Sequence, residues 1–465
     1  MASYGDYPFI VGHLHDRKKI RDNEEYLEIA KKVHEYLESI RVNDPDGIYW
    51  AVPGNDIGNG TVYTGSAGVA YFYIELYRLT KDPIYHDIIE KAADYLDRNW
   101  KHSAQYAVEL MHSYDIWEDT GIQYSYYTGI AGAGEGLIAI YQYTGRQKEK
   151  NAIRDIASEI IKNAKQDADG LYWGSDCSML FDAGTMLFLY HASECLGDEQ
   201  IKTIANRAAD RILAKAEKDP RGGLAWESTA HVGTHRIPNF ECGTAGIGYA
   251  LTIAYKYTPN PEYLQAAIEA AKHLKAIAVP QGKGFLIPWH DTPGEEPIFY
   301  LANCHGPAGT SKLFYRLYQL TDKQSYLEDI KGLYFGMRHL GAPEKISKGC
   351  WNTVCVCCGT AGILQFLINI SIVFANSEFA EETARTAMTA AEILVGEQES
   401  KIGGRMGVWP VAYERVKPEN VVPDFGYGTG SAGIGVTLLQ MYEFTTHGKG
   451  WYRFIDDPFP TICEA

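Results

Sequence analysis

The chain has 465 residues, 46% of them hydrophobic and 22% charged; that balance excludes a largely disordered chain, because it supplies enough apolar surface for a sizeable core. A formal net charge of −16 without any lysine- or arginine-rich run excludes the electrostatic footprint of a nucleic-acid binder and argues against an anionic membrane surface. The N-terminal residues lack the basic and apolar regions of a secretory signal, and the most apolar run, 358–375, is interrupted by Gln365, Asn369 and Ser371. No transmembrane segment is therefore expected, and the expected location is the cytoplasm.

In chain order the sequence alternates between two kinds of segment. A polar, amphipathic stretch at 22–41 is followed by Gly65-Ser-Ala-Gly68, which opens an almost wholly apolar run to Thr80. Further amphipathic stretches lie at 82–99, 148–166, 197–217, 261–279, 324–340 and 378–396, rich in Glu, Lys and Ala with apolar residues at helical spacing. Each is followed by another Ala-Gly pair and another apolar run, at Gly132, Gly184, Gly246, Gly309, Gly362 and Gly433. The motif is Gly-x-Ala-Gly in every copy except the third, where Phe181 replaces the first glycine. A helix that is apolar around most of its circumference is a buried one. The pattern predicts an all-α fold, an α/α toroid or double α-barrel of seven helical hairpins, with seven inner helices ringed by seven outer ones. No Pro- or Ser-rich linker divides the repeats, so one domain over 1–465 is expected, its repeats spanning about 22–445. The loops between outer and inner helices each carry one tryptophan, Trp50, Trp117, Trp173, Trp226, Trp289, Trp351 and Trp409; shared packing explains them more simply than seven substrate platforms.

If all hairpins run in the same sense, the seven motifs lie at one mouth of the barrel and the residues just before them converge. In the first, second and seventh repeats those residues are Tyr, Thr and Gly. The fourth has Glu241-Cys242, the fifth Cys304-His305 and the sixth Cys357-Cys358. Five of the nine cysteines fall between Cys304 and Cys358, which in a reducing compartment favours metal or catalytic chemistry over crosslinking. Soft ligands at equivalent places on successive hairpins have the composition of a zinc site, with Cys304, Cys357 and Cys358 as its core and His305, Cys355 and Cys242 as further candidates. Three protein ligands leave an open position, whereas a fourth would close it into a structural site.

The motifs Asn303-Cys-His-Gly-Pro-Ala-Gly309 and Cys357-Cys-Gly-Thr-Ala-Gly362, set in the fifth and sixth of seven repeats, resemble the lanthionine synthetase C family over nearly the whole chain. That resemblance implies a double α-barrel holding a catalytic zinc, which activates a peptide cysteine for addition to dehydroalanine or dehydrobutyrine and so forms a thioether. It implies Cys304, Cys357 and Cys358 as zinc ligands, the last where the family more often has His. It further implies a dehydrated precursor peptide as substrate and, since no dehydratase segment accompanies the barrel, a separate dehydratase. Two departures bear on proton transfer: Cys242 stands where family members commonly have a His proposed as acid/base, and Ser125-Tyr-Tyr-Thr-Gly129 lacks the Asp often found before that glycine. His305, His231 and His235, with Cys242 itself, are then the candidates for the displaced role. Two other readings remain: a zinc-binding, non-catalytic peptide scaffold, and a carbohydrate-active toroid using acids such as Asp56, Asp176, Asp182, Glu241 and Asp291.

Overall fold

The computed structural model describes residues 22–52, 57–113, 120–174, 176–228, 236–292, 294, 296–344, 350–351, 353–401, 407–412 and 421–462. Its helices are α1 (Asn23–Ser39), α2 (Ser66–Thr80), α3 (Pro83–Asn99), α4 (His102–Ser113), α5 (Ile130–Thr144), α6 (Gln147–Lys162), α7 (Asp182–Leu196), α8 (Glu199–Ala214), α9 (Thr244–Tyr257), α10 (Pro261–Ala276), α11 (Pro307–Thr321), α12 (Ser325–His339), α13 (Thr360–Val373), α14 (Glu378–Lys401) and α15 (Ser431–Thr446).

Burial sorts them into two rings. In α2 every residue from Ser66 to Leu76 is buried, and in α5 every residue from Ile130 to Ile140, as expected of helices packed on all sides. In α6 only one stripe is buried, including Ala152, Ile153, Ile156, Ala157 and Ile160, the spacing of a helix with one face to solvent. The inner ring runs α2, α5, α7, α9, α11, α13, α15, and α15 packs back on α2 to close it. Outside it lie α3, α6, α8, α10, α12 and α14, each against the inner helix that precedes it. The seventh outer helix is α1, which packs on α15, so the two ends of the repeat array meet. The tight pairs thus join an inner helix to the outer helix after it, across turns as short as Lys81–Asp82, while the long segments such as Ile40–Gly65 lead from outer to inner. The helix α4 and the two-stranded hairpins in those long segments, such as Arg41–Asp44 with Gly47–Trp50, were not anticipated from the sequence; the strands are too short for periodicity to register, and α4 buries only Ser103 and Ala107, so it carries no apolar stripe.

The two rings begin their helices differently. Four outer helices, α1, α3, α8 and α10, are capped by side chains: Asp22, Asp82, Asp198 and Asn260 each accept a backbone N–H in the first turn, whereas Arg146 before α6 and Gln324 before α12 give no such bond. Six of the seven inner helices start after a glycine, α7 starting after Phe181, and they are capped by their own preceding loop, as where Thr360 N–H donates to Thr353 O at 2.8 Å and Ser431 N–H to Asp424 O at 2.9 Å. For this the loop doubles back over the helix start. A Cβ on the second glycine of the motif would lie 1.8 Å from Phe240 O at Gly246 and 1.7 Å from Tyr427 O at Gly433, which is why only glycine fits.

The loop tryptophans are packing elements. Trp173, Trp226 and Trp409 are almost fully buried, and each indole N–H donates to a carbonyl of the preceding outer helix, Ile160, Ile212 and Leu394, at 2.7–2.8 Å. Trp117 lies outside the described residues.

After α15 the chain turns into the bore. Tyr71 of α2 donates to Tyr452 O at 2.9 Å, Tyr249 of α9 to Ile455 O at 2.7 Å, and Ile455 N–H donates to Glu135 of α5 at 3.3 Å. Arg453 reaches Asn369 of α13 at 2.8 Å, and Phe459 stacks on Tyr315 of α11. A segment in contact with five helices of a seven-membered ring lies inside that ring.

Candidate metal centre

The site is organised by a belt of backbone hydrogen bonds just ahead of the inner helices. Leu180 N–H donates to Glu241 O (3.0 Å), Glu241 N–H to Cys304 O (2.8 Å), Cys304 N–H to Cys357 O (3.1 Å), Cys357 N–H to Gly428 O (2.8 Å) and Gly428 N–H to Tyr63 O (2.7 Å). Four of these, Glu241, Cys304, Cys357 and Gly428, together with Tyr63, stand two residues before the first glycine of their motifs. The belt brings residues from far apart in sequence side by side and turns this position toward the axis: Tyr63, Tyr127, Glu241, Cys304 and Cys357 all line one cavity of about 730 Å³, counting its open mouth. The next position along, occupied by Thr64, Thr128, Cys242, His305 and Cys358, is absent from that lining.

Three sulfurs meet at the cavity wall. Cys357 Sγ lies 3.0 Å from Cys358 Sγ, and Cys304 Sγ lies 3.3 Å from Cys358 Sγ, far beyond the roughly 2.05 Å of a disulfide. All three ligand atoms fall within 4.8 Å of one another, and Cys304 is 3% exposed and Cys357 9%. Hydrogen bonds from Cys304 and Cys358 pull the Cys357 thiol well below its ordinary range, whereas burial raises Cys304 and hydrogen bonding to its sulfur neighbours raises Cys358. The cluster by itself supports one thiolate. Three buried thiolates in contact need a cation, so the donor set fits a thiophilic metal. Glu241 Oε2 stands 3.7 Å from Cys357 Sγ, and burial, then the charge of Cys357, holds its carboxyl well above the carboxylate range. Cys355 approaches from behind, its sulfur 3.5 Å from the Cys358 N–H.

The other sequence candidates fall elsewhere. Cys242 is buried behind Glu241, its thiol raised by desolvation and then by the charge of Glu241. His305 is buried edge-on against the stacked pair of Tyr300 and Trp289, with ring centroids 5.5 and 6.4 Å away. His231 and His235 lie outside the described residues, as does Asp56. Among the remaining acids named for a sugar enzyme, Asp182 accepts the Trp173 and Gly174 N–H groups, Asp176 accepts from Ser228, and Asp291 pairs with Arg221; none of these three lines the cavity. Sequence reasoning missed Lys312, on the second turn of α11, and Asp456, in the segment after α15, which both do. No periodicity or motif marks either residue; only the path of the last segment brings Asp456 to the site.

A family model described as lanthionine synthetase C-like protein matches residues 56–114 and 121–393. The chain belongs to that family. Among solved structures it is similar to nisin cyclase, at 15% identity and a TM-score of 0.59, with 92% of this chain and 95% of the cyclase covered; the shared feature is the fold. A cellobiose 2-epimerase from Bacillus thermoamylovorans B4167 (13% identity, 68% and 88% covered, TM-score 0.42) and an α-1,6-mannanase of Salegentibacter sp. HEL1_6 (12% identity, 90% and 99% covered, TM-score 0.42) also align. No curated protein matches the sequence. Among the described residues no helix is long and apolar enough to cross a membrane.

Proposed function

We propose that this lanthionine synthetase C-like protein is a zinc-dependent enzyme that adds a thiol to dehydroalanine or dehydrobutyrine in a modified peptide, forming a thioether. The observation that carries the reading is the trio of Cys304, Cys357 and Cys358, whose sulfurs meet on two neighbouring loops of the ring, with Cys304 and Cys357 lining the cavity. Zinc held there would supply Lewis acidity, lowering the pKa of an incoming thiol so that it reacts as thiolate at neutral pH. The protein's own groups exclude water and handle protons. Tyr63, Tyr127, Phe240 and Tyr427 make the walls, and the Glu241 carboxyl faces the sulfurs. With Cys242 and His305 behind the wall, the titratable groups beside the cysteines that line the cavity, among the described residues, are Glu241, Asp456, Asp457, Lys312 and the tyrosines. The partner is a dehydrated precursor peptide made by a separate dehydratase, in the reducing cytoplasm that keeps the three thiols free.

The test is to purify the protein, measure its metal by elemental analysis, and supply a dehydroalanine peptide and a thiol. One zinc per chain and zinc-dependent thioether formation are expected. Zinc without product under any thiol condition, combined with tight peptide binding, would make the protein a non-catalytic scaffold, and absence of zinc would overturn the assignment.

A further inference from the structure

Addition of a thiol to a dehydroamino acid needs two groups at different places. One holds sulfur; the other gives a proton to the α-carbon, two bonds further on. Glu241, at 3.7 Å from Cys357 Sγ, belongs to the sulfur end. A second carboxyl lines the same cavity and comes from outside the barrel repeats: Asp456, in the segment threaded through the bore. Its side chain is 14% exposed and faces inner-ring side chains. Tyr126 OH and Tyr127 OH face its two oxygens at 3.5 and 3.4 Å, and Lys312 Nζ lies 3.7 Å from Oδ2. Those donors stabilise the carboxylate after it has lost a proton, while burial holds the acid form above the ordinary Asp range, opposed first by Lys312. Asp457 and Glu135 also face it, Asp457 being engaged with Arg453 and the Phe459 N–H, and Glu135 with His191 and the Ile455 N–H. Asp456 and Asp457 both line the cavity shared with Cys304 and Cys357, but both oxygens of Asp457 are taken by Arg453 and the Phe459 N–H, and Glu135 is not part of the lining.

We propose that Asp456 is the general acid of the reaction, carried into the cavity by the segment after α15 in place of an acid from the second or fourth repeat. This rests on the thiol-addition reading. As sulfur bonds to the β-carbon, the π pair of the C=C bond moves to the α-carbon and its carbonyl as an enolate. The Asp456 carboxyl proton then passes to the α-carbon, and the carboxylate is recharged by the proton that the next thiol loses on ionising.

The test uses the full-length, zinc-loaded protein with glutathione and a peptide bearing one dehydroalanine, reading rate, zinc content, helical circular dichroism and the ratio of α-carbon diastereomers. Asp456→Asn is expected to slow addition by about 100-fold or more, to keep zinc and helicity, and to move the diastereomer ratio toward that of the uncatalysed reaction, which a merely structural role would not do. Asp456→Glu should restore part of the rate and the selectivity. Should Asp456→Asn fail to fold, the Tyr126→Phe/Tyr127→Phe double variant decides: a several-fold slower rate with zinc retained supports the assignment, and an unchanged rate overturns it. Parent-like rate and ratio in Asp456→Asn overturn the assignment alone. If the parent itself adds no thiol, the thiol-addition reading fails and the role of Asp456 falls with it.

Discussion

The inner and outer rings are built from the same repeat yet hold their helix starts together by opposite means. Four outer helices, α1, α3, α8 and α10, are closed by Asp or Asn side chains, so each of those caps is local and independent. Inner helices are closed by backbone, and the loops that close them are tied to one another by the belt from Leu180 to Tyr63. Loop side chains such as Asn59, Ser125 and Asp424 brace this main chain, but the backbone cap asks nothing of the side chain two residues before each motif. That is why the inward position can be Tyr63 or Tyr127 on one side of the mouth and Glu241, Cys304 or Cys357 on the other with the same main chain. The inner mouth is where side chains are available for chemistry, and the outer shell is where they are needed for stability.

That contrast breaks if mouth substitutions melt the protein or shell substitutions change the chemistry. The largest effect is expected from Cys304→Ala, Cys357→Ala and Cys358→Ala: each should lower zinc affinity by at least about 100-fold, since loss of an outer-shell partner alone costs 10–100-fold, while helicity stays intact because the ring buries its core without metal. Cys195→Ala, on the far part of α7, should change neither. Elemental analysis and circular dichroism of the same samples check both halves.

Next in size is Trp173→Ala in the shell, which removes a buried indole and its bond to Ile160 O. A loss of about 3–5 kcal/mol in urea unfolding is expected, with zinc content unchanged. A Trp173→Ala protein that is stable but loses zinc would place the tryptophan in the site after all.

A smaller effect concerns pH. Asp97 of α3 is buried beside Glu149 of α6, with Arg146 3.8 Å away, and burial pushes its carboxyl up to about 7. A carboxyl raised in the folded state binds more protons there than in the unfolded chain between about pH 4 and 7, so its contribution to stability is lost as pH rises through that window. Asp97→Asn should flatten that decline, measured as urea midpoints across the window, and leave zinc content alone; an unchanged slope would show that Asp97 is ionised in the fold. Smallest is Asp82→Ala, which removes the cap on α3 and should cost about 1 kcal/mol with no effect at the mouth.

Much of this molecule is legible in its sequence because its information is periodic. The seven Ala-Gly pairs mark the starts of the inner helices, and the alternation of apolar and amphipathic runs separates the two rings, since burial on all sides and burial on one face impose different patterns on a helix. Equivalence of position in the repeat was enough to bring Cys304 next to Cys357 and Cys358, because repeats of one geometry carry equivalent residues to one place. Three things lay beyond it. Which of two adjacent residues faces the axis is set by the belt, and it put Glu241 in the cavity and Cys242 behind it. The pairing of α1 with α15 depends on closure of the ring, a property of all seven repeats together. Asp456 reaches the site through contacts with α2, α5, α9, α11 and α13 made by a segment with no repeat and no period of its own; such a path follows from the shape of the bore, which exists only once the ring has formed.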